Sequence, residues 1–163
     1  MNYISMTKAE IANGYGVRIA LWVSGCDHHC ENCQNPETWD CKAGKPFTYS
    51  DFLKLTNELS LPYYDGLTLT GGDPLYPQNI DGIEKLVIDI KEMFPNKTIW
   101  CYTGYKFEDV RDLNLIKYID VLIDGEYVDE LRDITLPFCG SSNQRIIDIP
   151  KTLQSNQIVL YNP

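Results

Sequence analysis

Three cysteines stand close together early in the chain, in the segment SGCDHHCENCQN. They are Cys26, Cys30 and Cys33, and they follow an apolar run that ends at Val23. The chain has only six cysteines in 163 residues, far fewer than a disulfide framework of this size would use. Clustered thiols at this low density indicate a metal site. The spacing therefore predicts that one short loop wraps around one small inorganic group.

The number of thiols narrows the kind of metal. A structural zinc site normally takes four protein ligands, so zinc would need Cys41, His28 or His29 as the fourth. In a [4Fe-4S] cubane each iron takes one ligand, so three thiolates leave the fourth iron open to an outside molecule. Spacing alone leaves three interpretations open: a zinc site, an iron–sulfur cluster, and clustered thiols that bind no metal.

The cysteine loop must be positioned by regular elements on either side of it. Four apolar runs, each closed by polar residues or glycine, predict strands at 18–25, 66–70, 98–102 and 119–125. A capping-box spacing from Thr48 to Asp51 predicts a helix over 48–60, and apolar residues three and four apart predict a second helix from Asn79 to Phe94. A shorter helix or turn is expected at 107–116, and further strands at 145–149 and 157–161.

Strands that alternate with helices predict an α/β fold, a partial, open (βα) barrel of mostly parallel strands with helices outside. A closed eight-unit barrel usually needs more than about 200 residues, so a single domain over residues 1–163 is expected to stay open, with room for a protein loop. Ligands of such folds bind at the carboxyl ends of the strands, where the cysteines and the segments GGDP, TGY and DGE all fall.

Charge and composition exclude several classes of partner. The formal net charge of −9 disfavours nucleic acid and anionic membrane surfaces. No stretch approaches the roughly 18 apolar residues of a membrane span, and the N-terminus lacks the pattern of a signal peptide. We therefore expect a cytoplasmic protein without nucleic-acid or membrane partners.

Several motifs together resemble a known family. The spacing in CDHHCENC is similar to the C-x3-C-x2-C signature of radical S-adenosylmethionine enzymes. NGYGVR, SGCDHHCENCQNPETW, LTGGDPLYPQN, IWCYTGYKFEDV, DVLIDGEYV and GSSNQR resemble, in the same order, segments of the anaerobic ribonucleoside-triphosphate reductase activating proteins. The match covers roughly residues 1–147.

This resemblance implies a mechanism. Cys26, Cys30 and Cys33 would bind a [4Fe-4S] cluster whose open iron takes S-adenosyl-L-methionine. An electron from reduced flavodoxin or a similar donor would cleave this cofactor, and the radical formed would take hydrogen from a glycine of the reductase. No catalytic residue is expected beyond the cluster and the cofactor.

The GGDP segment lies where the wider superfamily often has Gly-Gly-Glu. The resemblance implies that Gly71 and Gly72 let the backbone approach the cofactor, with Asp73 in place of the longer glutamate. A plain strand-to-helix turn explains the same residues.

Other cofactor-binding residues are expected beside the cysteines and at later strand ends. Asn32 and Gln34, on either side of Cys33, offer hydrogen bonds to an adenine edge. Thr103 and Asp124 fall at strand ends and are expected to line the cleft. Packing or turn capping would explain Thr103 and Asp124 equally well.

Two other functions fit parts of the pattern. A radical S-adenosylmethionine enzyme for another peptide substrate would share the cysteines, but not TGY and GSSNQR. A non-catalytic zinc-binding interaction protein would use Cys41 or a histidine as fourth ligand.

Overall fold

The computed structural model describes residues 1–162, in which seven strands and four helices follow one another. The strands are β1 (Asn2–Glu10), β2 (Arg18–Val23), β3 (Lys45–Pro46), β4 (Gly66–Gly71), β5 (Thr98–Tyr102), β6 (Val121–Asp124) and β7 (Arg145–Asp148). The helices are α1 (Tyr49–Leu59), α2 (Ile80–Met93), α3 (Phe107–Val110) and α4 (Ile149–Ser155). Among the described helices, none has the length and apolar character needed to cross a membrane.

All seven strands belong to one sheet, in the order β3-β1-β2-β4-β5-β6-β7. The central strands β2, β4, β5 and β6 pair in parallel, so their carboxyl ends lie along the same edge. The outer strands β1, β3 and β7 pair antiparallel. No pairing joins β3 to β7 in the described part of the chain, so the sheet is open. The expected α/β fold with parallel central strands is confirmed.

The two faces of the sheet differ because side chains alternate along each strand. Buried residues of one face, such as Ile19 and Leu67, pack in the main core with Leu55 of α1 and Ile83 of α2. The other face carries a smaller cluster around Trp100, packed against loop and C-terminal residues. The apolar residues that the helices bury all belong to the main core, so the second face remains available to line a cleft.

The predicted helices begin as expected. Thr48 and Asp51 form a capping box at the start of α1, in which each side chain accepts a hydrogen bond from the other's backbone N–H. The Tyr3 hydroxyl also donates to Asp51, at 2.9 Å. These hydrogen bonds, first those from Thr48 and then that from Tyr3, hold the pKa of Asp51 well below its usual range.

Some elements differ from the sequence prediction. The expected strand at 157–161 makes only the isolated bridge between Ile147 and Leu160, and helix α4 lies between that segment and β7. Strand β1 was not anticipated, because its side chains are mostly half-exposed and show no apolar alternation. It is held by pairing with β2 on one side and β3 on the other.

Arg18, the last residue of NGYGVR and the first of β2, ties this segment to β4 and β5. Arg18 is fully buried, and its guanidinium donates to Thr68 Oγ1 at 2.7 Å and to the Thr98 carbonyl at 2.8 Å. It also donates to the Tyr15 carbonyl at 3.1 Å and lies over the Trp100 ring. Burial lowers the pKa of Arg18 to about 10, so it remains a cation at neutral pH.

Candidate functional site

The loops after β2, β4, β5 and β6 surround a cleft of about 480 Å³ at the carboxyl edge of the sheet. Cys26, Cys30 and Cys33 line it from the loop after β2. The other walls come from 71–73 at the end of β4, from 103–104 after β5, and from residues between 125 and 144 after β6. The loops that were expected to lie close together therefore line one cleft in the structure.

The cysteine loop is irregular and is bound to the chain that follows it. The backbone N–H of Gly25 donates to the Thr38 carbonyl at 2.7 Å, and that of Cys26 donates to the Trp39 carbonyl at 3.1 Å. His29 and Asn32 have positive φ angles, 49° and 54°, which turn the chain sharply on either side of Cys30. Both turns lie between cysteines of the motif, so the loop curls within a few residues.

The thiols of this loop are half-buried. Burial raises the pKa of Cys26 to about 11, and it also raises the pKa of Cys30. The raised pKa values favour the protonated form of Cys26 and Cys30 in the apo-protein, and metal binding would displace these two protons. Three sulfur ligands on one loop, all facing one cleft, fit an iron–sulfur cluster, in which each thiolate binds a different iron. Within residues 1–162, no three His, Cys, Asp or Glu side chains stand close enough together to hold a single metal ion.

The glycines of GGDP allow two loops to touch. A Cβ at Gly71 would lie 2.6 Å from the Val23 carbonyl oxygen, and one at Gly72 would lie 2.6 Å from that of Gly25. The Gly72 N–H donates to the Val23 carbonyl at 2.8 Å, and the Asp73 N–H donates to the Gly25 carbonyl at 2.8 Å. Both glycines also line the cleft. The observed close approach is thus between the GGDP segment and the start of the cysteine loop.

Asp73 is buried at the centre of the loops, with a side chain that is 1% exposed. Its Oδ1 accepts a hydrogen bond from the Leu75 N–H at 2.8 Å. Its Oδ2 accepts from Thr103 Oγ1 at 3.0 Å and from the Gly104 N–H at 2.9 Å, and it also lies 2.9 Å from His28 Nε2. This one carboxylate therefore connects the loops after β2, β4 and β5.

His28 lies between two carboxylates. Its Nε2 is 2.9 Å from Asp73 Oδ2 and its Nδ1 is 2.9 Å from Glu126 Oε1. The ring packs edge-to-face on Tyr105, with centroids 4.6 Å apart. The hydrogen bond with Asp73 and then that with Glu126 raise the pKa of His28 to about 9, although burial opposes them. Both ring nitrogens are engaged, so His28 does not offer a free ligand to a metal in this arrangement.

The other two candidates for a fourth ligand lie outside the cleft lining. His29 is exposed, and its ring contacts Trp39 with centroids 4.8 Å apart. Cys41 lies behind the loop, where a Cβ built at Gly25 would meet the Cys41 Cβ at 3.2 Å. Neither side chain lines the cleft that contains the three cysteines of the motif.

The predicted cofactor-binding residues divide into two groups. Cys33, Gln34, Gly71, Gly72, Asp73 and Thr103 line the cleft. Asn32 instead donates to Asp129 Oδ2 at 2.8 Å. Asp124 accepts from the Phe107 N–H at 2.8 Å and from Arg145 Nε at 2.9 Å. Asn32 and Asp124 are thus not among the residues that line the cleft.

Sequence reasoning missed several aromatic residues of the cleft. Trp22 and Tyr102 project from the sheet face that the helices leave uncovered, while Trp39, Tyr127 and Phe138 come from loops. Side chains alternate between the two faces of a strand, so the positions of Trp22 in β2 and Tyr102 in β5 could have predicted that both lie on the face opposite the main core. The three loop residues carry no such signal, because only the tertiary fold brings them to the cleft.

The GSSNQR segment braces the loop after β6. Gln144 accepts from the Gly140 N–H at 2.8 Å and donates to the Gly125 carbonyl at 2.9 Å. Arg145 forms ion pairs with Asp124 and, at 2.8 Å, with Glu108. The hydrogen bond from Arg145 is the main cause that lowers the pKa of Glu108, to about 2.

Comparisons with known proteins point to one family. Residues 12–147 match the family model described as a 4Fe-4S single cluster domain. The anaerobic ribonucleoside-triphosphate reductase-activating protein of Enterobacteria phage T4 is 49% identical over 146 residues, which cover 90% of this chain and 93% of that protein. The protein of the same name from Escherichia coli K12 is 42% identical over 148 residues, covering 88% and 96% of the two chains. That of Haemophilus influenzae is 40% identical over 150 residues, covering 90% and 97%. With its cysteine motif facing the cleft and this degree of identity over most of its length, the chain belongs to the family of anaerobic ribonucleoside-triphosphate reductase-activating proteins.

Proposed function

We propose that this protein activates an anaerobic ribonucleoside-triphosphate reductase, as a radical S-adenosylmethionine enzyme that generates a glycyl radical on the reductase. The observation that carries the proposal is the placement of Cys26, Cys30 and Cys33 on one cleft while His28, the histidine of that cleft, is held by two carboxylates. The names of the family's relatives support the reductase as partner.

In this proposal Cys26, Cys30 and Cys33 hold a [4Fe-4S] cluster. When bound, the cluster would supply the electron that cleaves S-adenosyl-L-methionine to methionine and a 5′-deoxyadenosyl radical. The protein's own residues place and shield the reactants. The Gln34 amide would offer polar groups to the cofactor from the cleft wall, Gly72 lines the same wall, and Trp22 and Tyr102 cover the sheet face beneath it.

The architecture supports a macromolecular substrate. We propose that the open sheet is a partial (βα) barrel formed by one domain over residues 1–163, with its cleft on the face that the helices leave free. An open cleft can admit a loop of the reductase that carries the target glycine. Reduced flavodoxin or a similar donor would provide the electron in the cytoplasm, where thiols remain reduced.

Anaerobic reconstitution tests this function. Protein loaded with iron and sulfide, reduced and given S-adenosylmethionine, should form 5′-deoxyadenosine, and addition of the reductase should give the EPR signal of a glycyl radical. Cys30→Ala should abolish both products. Cys41→Ser is the matched control, because this thiol lies outside the cleft lining, and it should retain both.

Two results would contradict the proposal. One is product formation by Cys30→Ala at the wild-type rate. The other is loss of bound iron in Cys41→Ser, which would make Cys41 a ligand and close the position meant for S-adenosylmethionine.

A further inference from the structure

Side chains hold the middle of the cysteine loop to distant parts of the chain. Asp27 accepts from the Tyr105 hydroxyl at 3.1 Å, and Asn32 donates to Asp129 at 2.8 Å. Both of these contacts are exposed to solvent, where a hydrogen bond contributes little net stability. His28 makes the third contact, and its side chain is only 9% exposed.

The fit around His28 is close. A Cβ at Gly104 would lie 2.4 Å from the His28 ring, so only glycine leaves room for the imidazole at this position. Tyr105 closes another side of the ring, and the carboxylates of Asp73 and Glu126 lie at its two nitrogens. The ring is therefore held in one orientation between two cysteines of the motif.

The hydrogen-bonding capacity of the Asp73 carboxylate is filled by its neighbours. A carboxylate has about four acceptor positions, and Asp73 already has four close partners: the Leu75 and Gly104 N–H groups, Thr103 Oγ1 and His28 Nε2. Its side chain is buried against these groups and not presented to the cleft as a free acceptor. What this segment offers a cofactor is thus mainly backbone, and the carboxylate serves the contacts among the loops.

We infer that His28 is a positioning residue for the metal site, which acts through Asp73 to fix residues 26–30 of the cysteine loop against the ends of β4 and β5. This inference rests on the proposed function, because it concerns how firmly the cluster is held. A loop that is already ordered pays less conformational entropy when it binds a metal. Loss of a group that orients a metal ligand typically weakens metal binding by about 10- to 100-fold, and we expect the loss of His28 to fall in this range.

The test compares His28→Ala with His29→Ala, which removes the neighbouring, exposed imidazole that has no carboxylate partner in the structure. Each protein is reconstituted without oxygen, and the release of iron to a chelator is followed by absorbance. His28→Ala should release iron roughly 10- to 100-fold faster than wild type, and His29→Ala should release it at the wild-type rate. The EPR spectrum of the reduced cluster with S-adenosylmethionine should become heterogeneous in His28→Ala alone.

The variant Asp73→Asn tests whether His28 acts through Asp73. If His28 acts through Asp73, the double variant should release iron no faster than the more affected single variant, because both substitutions break the same contact. Rate increases that multiply in the double variant would overturn the coupling.

Folding is measured separately, by thermal melting of the apo-proteins. If His28→Ala does not fold, His28→Gln replaces it in the test. A glutamine amide cannot reach both the Asp73 and the Glu126 carboxylates, so this variant should still release iron faster than wild type. Equal release rates and equal EPR spectra in wild type and the folded His28 variant would overturn the inference while leaving the proposed function intact. A wild-type protein that binds no cluster would overturn both.

Discussion

The close contact between Gly104 and His28 gives a prediction that can be worked out in numbers. In Gly104→Ala the new Cβ would lie 2.4 Å from the ring, whereas ordinary contacts begin at 3.4 Å. The ring must therefore retreat by about 1 Å, the difference between these two distances. Such a shift breaks the 2.9 Å contact between His28 Nε2 and Asp73 Oδ2.

The cost follows from the contact that is lost. A hydrogen bond to a charged group contributes about 1.5–3 kcal/mol, so the apo-protein should lose about 1.5–3 kcal/mol of unfolding free energy. For a chain of this size that corresponds to a melting temperature lower by about 3–12 °C. Gly104 is not among the glycines with positive φ, so backbone strain does not contribute to the loss.

Thermal melting of the apo-protein with reductant and chelator measures this effect. The control is the same substitution in a His28→Ala background, where the ring is gone and Gly104→Ala should cost less than about 0.5 kcal/mol. An equal loss of stability in both backgrounds would refute the reasoning, because the cost would then come from the backbone at residue 104 and not from the imidazole.

Three further predictions concern stability away from the cleft. Asp51→Asn should destabilise the apo-protein at pH 7. Because the N-cap hydrogen bonds lower the folded-state pKa of Asp51, its contribution is present above the unfolded pKa of about 4 and is lost as the pH falls, so urea midpoints of variant and wild type should converge at acid pH. Glu108→Gln removes a half-exposed partner of Arg145 and should cost at most about 1 kcal/mol in urea unfolding, less in 1 M salt. Leu69→Ala empties a fully buried position and should cost about 2–5 kcal/mol, whereas Ile134→Ala, at an 85% exposed site, should stay within about 0.5 kcal/mol in the same assay.

Local pattern was enough to predict the elements that carry the cleft. Helix α2 shows apolar residues three and four apart, and the structure buries Ile83, Val87 and Ile90 on one face. The strand that leads to the cysteines, β2, is a nearly continuous apolar run after Arg18, and the strand that leads to GGDP, β4, alternates leucine with threonine. These patterns depend only on the local sequence of each segment, so they can be recognised without the tertiary structure.

Side-chain direction could not be predicted in the same way. Asn32 and Asp124 were expected to face a cofactor, but they bond to Asp129 and Arg145, partners that are 97 and 21 residues away along the chain. The role of Asp73 as a shared acceptor depends on loops from three strands, so no short motif contains it. Motif spacing predicts which residues reach an edge of the sheet, whereas their contacts depend on the whole fold.

The backbone hydrogen bonds from Gly72 and Asp73 to Val23 and Gly25 make the GGDP segment and the start of the cysteine loop one mechanical unit. A ligand therefore has no entrance between these two segments, and a displacement of one is passed directly to the other. Another part of the cleft lining comes from Leu136 and its neighbours, which lie in an irregular segment that joins no strand of the sheet. The end of the cleft that carries the cysteines is thus cross-linked to the neighbouring strand end by backbone hydrogen bonds, which do not depend on side-chain identity.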